Sequence, residues 1–580
     1  MTDVLVPNRT DSRRLTGPNR LMDRAGAIID VELPGSPAAA DPIVAAWRAQ
    51  ARRILDALGW GHEELHVLRF PGGASLGFTA PADVLYAATE VNESAWDAAL
   101  AVASGSVEPP LGPTVATLSA RIEQERNPRL LALADAARRH GVQLLADQQV
   151  VSAGEGSGSI AWPVTRLPDP DAVSWAGVHD VPVALVTGSN GKTTTVRLLA
   201  AMLARAGRPT GFTCTDGVFV GGEALARGDY AGPEGARMLL RDRRVEAAVL
   251  ETARGGLLRR GLAVERAEVA VVTNIAADHF GEFGVYDLSA LAEAKLVVAR
   301  ALGARGKLVL NAEDAALVSA AVRLAAPIVW FALDSGNAVI TRHIAAAGDA
   351  CVVEEGAFVL RCAGRRELVA PVAAAPITFG GSARHNVANA LAAIAAAAAL
   401  AVPLEAMAGA LLGFQGSAID NPGRANLYEV GGVRVVVDFA HNPQGMAALA
   451  DIAAALPARR RLVAVGQAGD RDDSAIRDLV RAAHALRPDH VIVKEMEKYR
   501  RGRAPGEVPG LLTDEFRRLG VPNAAISTAP DDLGALRRAL EWAHPGDLLL
   551  VTIHVDQQAA LGLLDRLRRA RWEPGQPIPR

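Results

Sequence analysis

"LVTGSNGKTTTVRLLAAML" (residues 185–203) passes from an apolar run into a helical pattern through a turn bracketed by glycines and closed by Lys192 and three threonines. Glycines let backbone N–H groups converge on phosphate oxygens, and the positive end of the following helix favours the same charge. A lysine adds a point charge, and the hydroxyl after it can ligate magnesium. Gly188, Gly191, Lys192 and Thr193 occupy those places, with Ser189, Asn190 and Thr194 completing a nucleotide-binding stretch. The usual eight-residue P-loop asks for a further glycine at 186, where this chain has Val186. A strand–turn–helix of this kind belongs to the α/β class.

Outward from the loop, short apolar runs alternate with helical patterns: "VEAAVLET" (245–252), "AEVAVVTNI" (267–275), "GKLVLN" (306–311) and "APIVWFAL" (326–333). Continuous apolar strands separated by helices predict a parallel sheet covered on both faces. "CVVEEGAFVLRCAGRRELVAPV" (351–372) breaks the rhythm and reads as a small antiparallel insertion, and the alanine-rich helices of 384–414 close this unit. After the linker "NPGR" (421–424) a second alternating series begins, with "VRVVVDFA", "RRLVAVG", "DHVIVKE" and "GDLLLVTI". Before the loop, residues 1–165 mix alternating and helical segments and end in "SAGEGSGSIAWP" (152–163), whose glycines and serines suggest a mobile turn. The expected organisation is an α+β N-terminal domain (1–165), a P-loop parallel-sheet central domain (166–418) and a Rossmann-like C-terminal domain (419–580).

Across 580 residues the charges nearly cancel, 61 cationic against 64 anionic. That balance supplies no electrostatic reason for nucleic acid or an anionic membrane as partner. Three scattered cysteines, Cys214, Cys351 and Cys362, suit a reducing compartment better than a disulfide framework or zinc site. "MTDVLVPNRTDSRRL" lacks the apolar core of a signal peptide, and "ALAAIAAAAALAV" (390–402) is too short to span a bilayer, so a cytoplasmic location is expected.

The shorter loop T-G-x-x-G-K-T-T-T resembles that of the Mur ligase superfamily. "VLETARGGLLRRGL" (249–262), "VVTNIAADHFGEF" (271–283), "LAEAKLVVARAL" (291–302), "TFGGSARHNVANALAAIAAA" (378–397), "NPGRANLYEVGGVRVVVDFAHNP" (421–443) and "YRRGRAPGEVPGLL" (499–512) follow in order. Together they are similar to the Mur-type half of cyanophycin synthetases. "LTGPN" (15–19) and "GSGSIAWP" (156–163) resemble elements of that family's leading domain. The family's large ATP-grasp domain is missing between them and "VPVALVTG" (181–188), so its aspartate-backbone extension is not expected.

The resemblance implies an ATP-dependent ligase joining a carboxylate to an amine through an acyl phosphate, with ATP and Mg2+ as cofactors. Lys192 would bridge phosphates, while Thr193 and Glu251 would hold magnesium. His279 would contact a second metal, Lys295 would be the lysine that carbamylates in many of these enzymes, and Asp278 would orient His279 or bind the amine. Asn386 and Asn389 share a helix face and suit an adenine edge. Arg424 would reach the phosphates when the last domain closes, and Asp438 would accept from ribose. His441, Asn442, Asp470, Arg471, Arg503 and Glu507 would select the amino acid, arginine first. Each has a plainer alternative: a surface carboxylate for Glu251, a structural histidine for His279, a solvated lysine for Lys295, helix packing for the asparagines, and a solvated charge run in "EKYRRGR". Folylpolyglutamate-type and muramyl-peptide-type ligases are the enzymatic alternatives, and a non-catalytic ATP-binding partner of a separate ATP-grasp enzyme is another. The expected ligands are a small acidic acceptor and an amino acid, and the oligomeric state stays open.

Overall fold

A computed structural model describes residues 7–33, 37–277 and 280–579. Asp278 and His279 lie outside the described residues.

The N-terminal part is a four-stranded antiparallel sheet of β1 (Asn8–Leu15), β2 (Gly26–Glu32), β3 (Leu65–Phe70) and β4 (Gly73–Thr79), in the order β1-β2-β4-β3. Helices Pro37–Ala57 and Leu85–Ser104 cover one face, burying Trp47 and Trp96. The other face docks on the central unit. Thr16 N donates to Arg260 O (2.7 Å), Leu262 N to Pro18 O (2.8 Å) and Arg13 Nε to Leu258 O (2.9 Å). A Cβ on Gly17 would lie 2.3 Å from Leu262 O, so "LTGPN" is a backbone clamp that only glycine permits.

A small antiparallel sheet follows: β5 (Leu144–Ala146), β6 (Val150–Ala153) and β7 (Ile160–Pro163). The "GEGSGS" turn within it differs from the mobile segment expected. Ser157 N donates to Val245 O (2.7 Å), and a Cβ on Gly158 would come within 2.2 Å of His179 O. The small residues serve close backbone approach. From β7 the chain runs through short 3-10 turns straight to the phosphate-loop strand, with no ATP-grasp domain between them.

The central sheet has eleven strands: β8 (Val183–Thr187), β9 (Thr210–Cys214), β10 (Gly217–Val220), β11 (Glu223–Arg227), β12 (Ala247–Glu251), β13 (Ala267–Val272), β14 (Leu302–Asn311), β15 (Ile328–Ala332), β16 (Ala350–Glu354), β17 (Ala357–Cys362) and β18 (Arg365–Pro371). Their order is β11-β10-β9-β12-β8-β13-β14-β15-β16-β17-β18, parallel from β9 to β16. Val183 and Leu185 of β8 enter one core while Ala184 and Val186 enter the other, which is why its run is apolar throughout. Helices Lys192–Arg205, Arg384–Ala399 and Leu404–Gly413 cover the second face, where alanine lets helix and sheet approach closely. The expected antiparallel insertion corrects to a sheet edge: β16 pairs parallel with β15, then β17 and β18 extend the same sheet.

The last sheet comprises β19 (Asn426–Val430), β20 (Val433–Asp438), β21 (Arg461–Val465), β22 (His490–Lys494), β23 (Ile526–Ala529) and β24 (Leu548–Thr552). Its order is β19-β20-β24-β21-β22-β23, with only β19 antiparallel. Val436 faces one helical layer, Val435 and Val437 the other. The α/β class with two parallel-sheet units and an α+β start is the architecture expected. No helix among the described residues is long and apolar enough to cross a membrane.

Candidate active site

The loop after β8 takes two left-handed turns, Gly188 at φ 147° and Gly191 at φ 83°. A Cβ at Gly188 would sit 1.9 Å from Thr273 Oγ1, and one at Gly191 2.0 Å from Asn389 Oδ1. Residues after β13 support the loop: Asn190 N donates to Asn274 Oδ1 (3.0 Å), Thr273 Oγ1 donates to Asn190 O (2.6 Å), and Ser189 Oγ bonds Ala276 O (3.1 Å). Helix Lys192–Arg205 starts at Gly191 with no side chain capping it. Its first amides are therefore left for a ligand.

Lys192 Nζ donates to the carbonyls of Gly188 and Ser189, both at 3.1 Å, and buried Lys295 Nζ donates to the same Gly188 carbonyl at 2.9 Å. Two ammonium groups are thus held against one loop, with the Glu251 carboxyl in the field of Lys192. Glu251, at the end of β12, is only 2% exposed, so the surface-carboxylate alternative falls. Its Oε2 accepts from Thr193 Oγ1 at 2.7 Å, whereas its Oε1 is buried without a hydrogen-bond partner. Burial pushes the Glu251 carboxyl upward, opposed by Lys192 and by the Thr193 bond. An orphaned carboxylate oxygen beside a hydroxyl is a hard-oxygen donor set of the kind magnesium takes, and the residues present fit that ion. Among the described residues no group of three or more His, Cys, Asp or Glu side chains is placed to hold a metal.

Beside the loop, Asn386 Nδ2 donates to Ile377 O (3.0 Å) and Asn389 Nδ2 to Asn386 Oδ1 (3.3 Å). Asn386 thus anchors Asn389, whose oxygen presses on Gly191. His385 lines the same space with its Nδ1 buried and unpartnered, and burial lowers its pKa to about 4, leaving a neutral ring.

The last unit sits directly on the loop. Asn442 Nδ2 donates to Asn190 Oδ1 (3.0 Å) and Asn190 Nδ2 donates to Gln444 Oε1 (2.5 Å). Asn421 Nδ2 bonds Thr194 Oγ1 (3.1 Å), and Arg424 reaches Thr215 Oγ1 (3.2 Å) while stacking over Phe439 at 4.5 Å. Asp438 accepts from the amides of Ala425 and Ala440, both at 2.7 Å, so its two oxygens already hold the turn bearing Arg424. His441 accepts a bond from Gln467 at its carbonyl (2.9 Å) and lines the cavity.

Arg503 and Glu507 correct the substrate set. Arg503 donates to Gly469 O (3.0 Å), Arg471 O (2.7 Å) and Glu507 Oε1 (2.8 Å), and pairs with Asp473. Its fork is spent on the 469–473 loop, and Glu507 is spent on Arg503 and Ala504 N. The charged groups presented to the cavity there are Asp470, Arg471 and Arg501.

One continuous cavity of about 2330 Å³ takes in residues 188–194, Glu251, Lys295, Asn386, Asn389, Arg424, Asp438, His441, Asp470 and Arg471. Asn442, Arg503 and Glu507 do not line it. The carboxyl ends of both parallel sheets open on it, as doubly wound folds place their ligands. Sequence reading missed Thr215, Asn274, His385 and Gln444. Two had a signal: "TCTDG" (213–217) and "TNI" (273–275) each follow a strand of the parallel series.

The sequence matches the Mur ligase middle domain over residues 186–397 and the Mur ligase, glutamate ligase domain over residues 423–552. Cyanophycin synthetase of Synechocystis sp. is 38% identical over 378 residues, 64% of this chain and 42% of that protein. The chain therefore spans 42% of that relative's length. The UDP-N-acetylmuramoyl-L-alanyl-D-glutamate--2,6-diaminopimelate ligase of Alkalilimnicola ehrlichii is 33% identical over 429 residues, 72% of this chain and 77% of that protein. The structure of E. coli FolC in complex with DHPP and ADP matches at TM-score 0.48 and 19% identity, covering 67% of this chain and 89% of that one. On the two matched domains and the extent of the diaminopimelate-ligase match, the chain belongs to the Mur ligase family.

Proposed function

We propose that the protein is an ATP-dependent acid–amine ligase that works through an acyl phosphate. The observation that supports this most is the pairing of Glu251, with its unpartnered buried oxygen, and Thr193 beside a loop flanked by two lysines. A carboxylate oxygen of the acceptor attacks the γ-phosphorus of ATP and ADP leaves. The amine then attacks the acyl carbon, phosphate departs with one former carboxylate oxygen, and the nitrogen sheds a proton. Lys192 and the uncapped amides of helix Lys192–Arg205 neutralise the transferring phosphoryl group, work that needs positioning rather than a protein nucleophile. Thr193 and Glu251 would hold a magnesium ion, which supplies positive charge to the phosphates when bound. Asn389 and His385 would flank the nucleobase, and Arg424 would meet the phosphates from the last unit.

In this reading residues 166–418 carry the nucleotide, residues 419–580 the incoming amine, and residues 1–165 help hold the acceptor. Arginine is the first amine to test, on the resemblance to cyanophycin synthetases. Asp470 and Arg471, paired with each other at 3.1 Å, line the part of the cavity where that amino acid would sit. The test uses acceptor pools labelled with 18O in the carboxylate. Expected is ADP release that needs both acid and amine, with one 18O appearing in the phosphate. ADP release without an acceptor, or full retention of label in the product, would overturn the ligase reading.

A further inference from the structure

Away from the phosphate loop the cavity runs between helices Pro233–Leu240 and Arg254–Arg260 and strand β1. Arginines crowd this wall, and they fall into two kinds. Arg241 pairs with Asp147, Arg254 with Glu282 at 2.6 Å, and Arg266 with Asp180 at 2.7 Å. Arg14, Arg237, Arg259 and Arg260 have no carboxylate within salt-bridge distance among the described residues. Arg14 stacks 3.8 Å over Tyr86, and Arg237 donates to Thr16 Oγ1 at 2.7 Å. Arg259 and Arg260 stand exposed at the rim.

All four line one stretch of the cavity wall. Burial and the nearby Arg241, Arg14 and Arg260 pull the Arg237 pKa down; Asp147 opposes them from a distance but is itself bonded to Arg241. Arg260 is likewise lowered by burial and then by Arg14 and Arg259, against opposing contributions from Tyr86 and Asp11. Keeping like charges together on a half-buried wall costs free energy that a multiply charged anion returns. The wall is also placed to matter for the reaction. Helix Arg254–Arg260 begins just after Glu251 and ends at Arg259 and Arg260, a rise of about 9 Å along its axis.

We infer that Arg14, Arg237, Arg259 and Arg260 form a polyanion subsite that grips the far end of the acceptor, so the acceptor carries at least two anionic groups besides its reacting carboxylate. This rests on the ligase reading above and adds the acceptor's charge class and a function for the N-terminal sheet, which supplies Arg14. Carboxylates and phosphates share the required chemistry, since both accept bidentate guanidinium bonds.

The experiment uses the full chain saturated with Mg·ADP, so that the phosphate loop is filled, and titrates tetraglutamate, inorganic pyrophosphate and acetate by calorimetry. Expected is binding of one polyanion at least tenfold tighter than acetate, and which of the two binds identifies carboxylate or phosphate recognition. R237Q/R259Q should weaken it at least tenfold with ADP affinity unchanged, and R237K should restore part of the loss. Should the double variant fail to fold, the exposed-site variant R259Q decides, with a threefold or greater weakening expected. Equal polyanion affinity in wild type and folded variants, or no preference over acetate, would overturn the subsite. Failure of the wild-type chain to bind Mg·ADP would strike the nucleotide reading alone, because tetraglutamate can be titrated without nucleotide.

Discussion

Two turns in this protein solve the same problem in opposite ways. Thr187 at the end of β8 and Asp438 at the end of β20 each lead from a parallel strand into a helix that points its amino end at the cavity. In the central unit the turn is closed by Gly191 with no capping side chain. In the last unit Asn442 caps the helix by accepting from Gly445 N at 2.8 Å, and Pro443 removes another amide donor at the first position. The first helix keeps its partial positive charge for a ligand; the second spends it internally. The capped end is still useful, because Asn442 and Gln444 bond to Asn190 of the uncapped one. A helix terminus is thus an anion site only where the sequence declines to satisfy it.

The largest expected effect tests the uncapped turn. Lys192→Ala should lower ligase turnover by about 10³-fold with unchanged folding, the scale of losing a preorganised charge-stabilising donor. A loss under tenfold in steady-state rates would break the contrast. Next comes Glu251→Gln, expected to cost about 100-fold in turnover while raising the melting temperature at neutral pH. The sign follows from burial. Glu251 titrates higher folded than unfolded, so wild-type stability falls as pH rises from the unfolded value through the raised folded one. Glutamine removes that fall. Mg·nucleotide affinity should rise with pH over the same window in the wild type and be flat in the variant; thermal melts and titrations across pH check both.

Asn442→Ala should cost about 1 kcal/mol of stability through the lost cap, read by denaturant unfolding. Asn442→Asp keeps the cap but loses the donor to Asn190, so it should restore stability without restoring KM for ATP. Smallest is Asn190→Ala, expected to raise KM for ATP about two- to fivefold with kcat held, since it removes the exposed bonds to Asn442 and Gln444, together worth about 0.5–1 kcal/mol. A large drop in kcat would instead make the contact between the two turns part of the chemistry.

The strand-and-helix alternation, the phosphate loop and the order of the motifs were legible because each is local: a period of two or of 3.6, a glycine, a lysine. Glu251 was legible too, as the carboxylate closing an apolar strand. Arg503 was not, because the direction of a long side chain depends on the 469–473 loop that captures it, and nothing in "RRGRAPGE" shows that capture. Arg14, Arg237 and Arg260 are scattered along the sequence and meet only once β1 is docked. The antiparallel edge β16–β18 was read as an insertion because pairing with β15 is a long-range choice with no mark in the strand itself.

The clamp at "LTGPN" has a consequence for size selection. With Gly17 wedged on Leu262 and Thr16 bonded to Arg260, strand β1 and the helix carrying Arg259 and Arg260 are one piece. If the proposed subsite holds the acceptor, the gap from those arginines back to Glu251 would work as a fixed calliper rather than an adjustable grip. A congener one unit shorter would then leave its tail groups unheld, and one unit longer would carry its reactive end past the nucleotide's phosphates. Discrimination among homologous acids would then be by reach, with the register set before any nucleotide arrives.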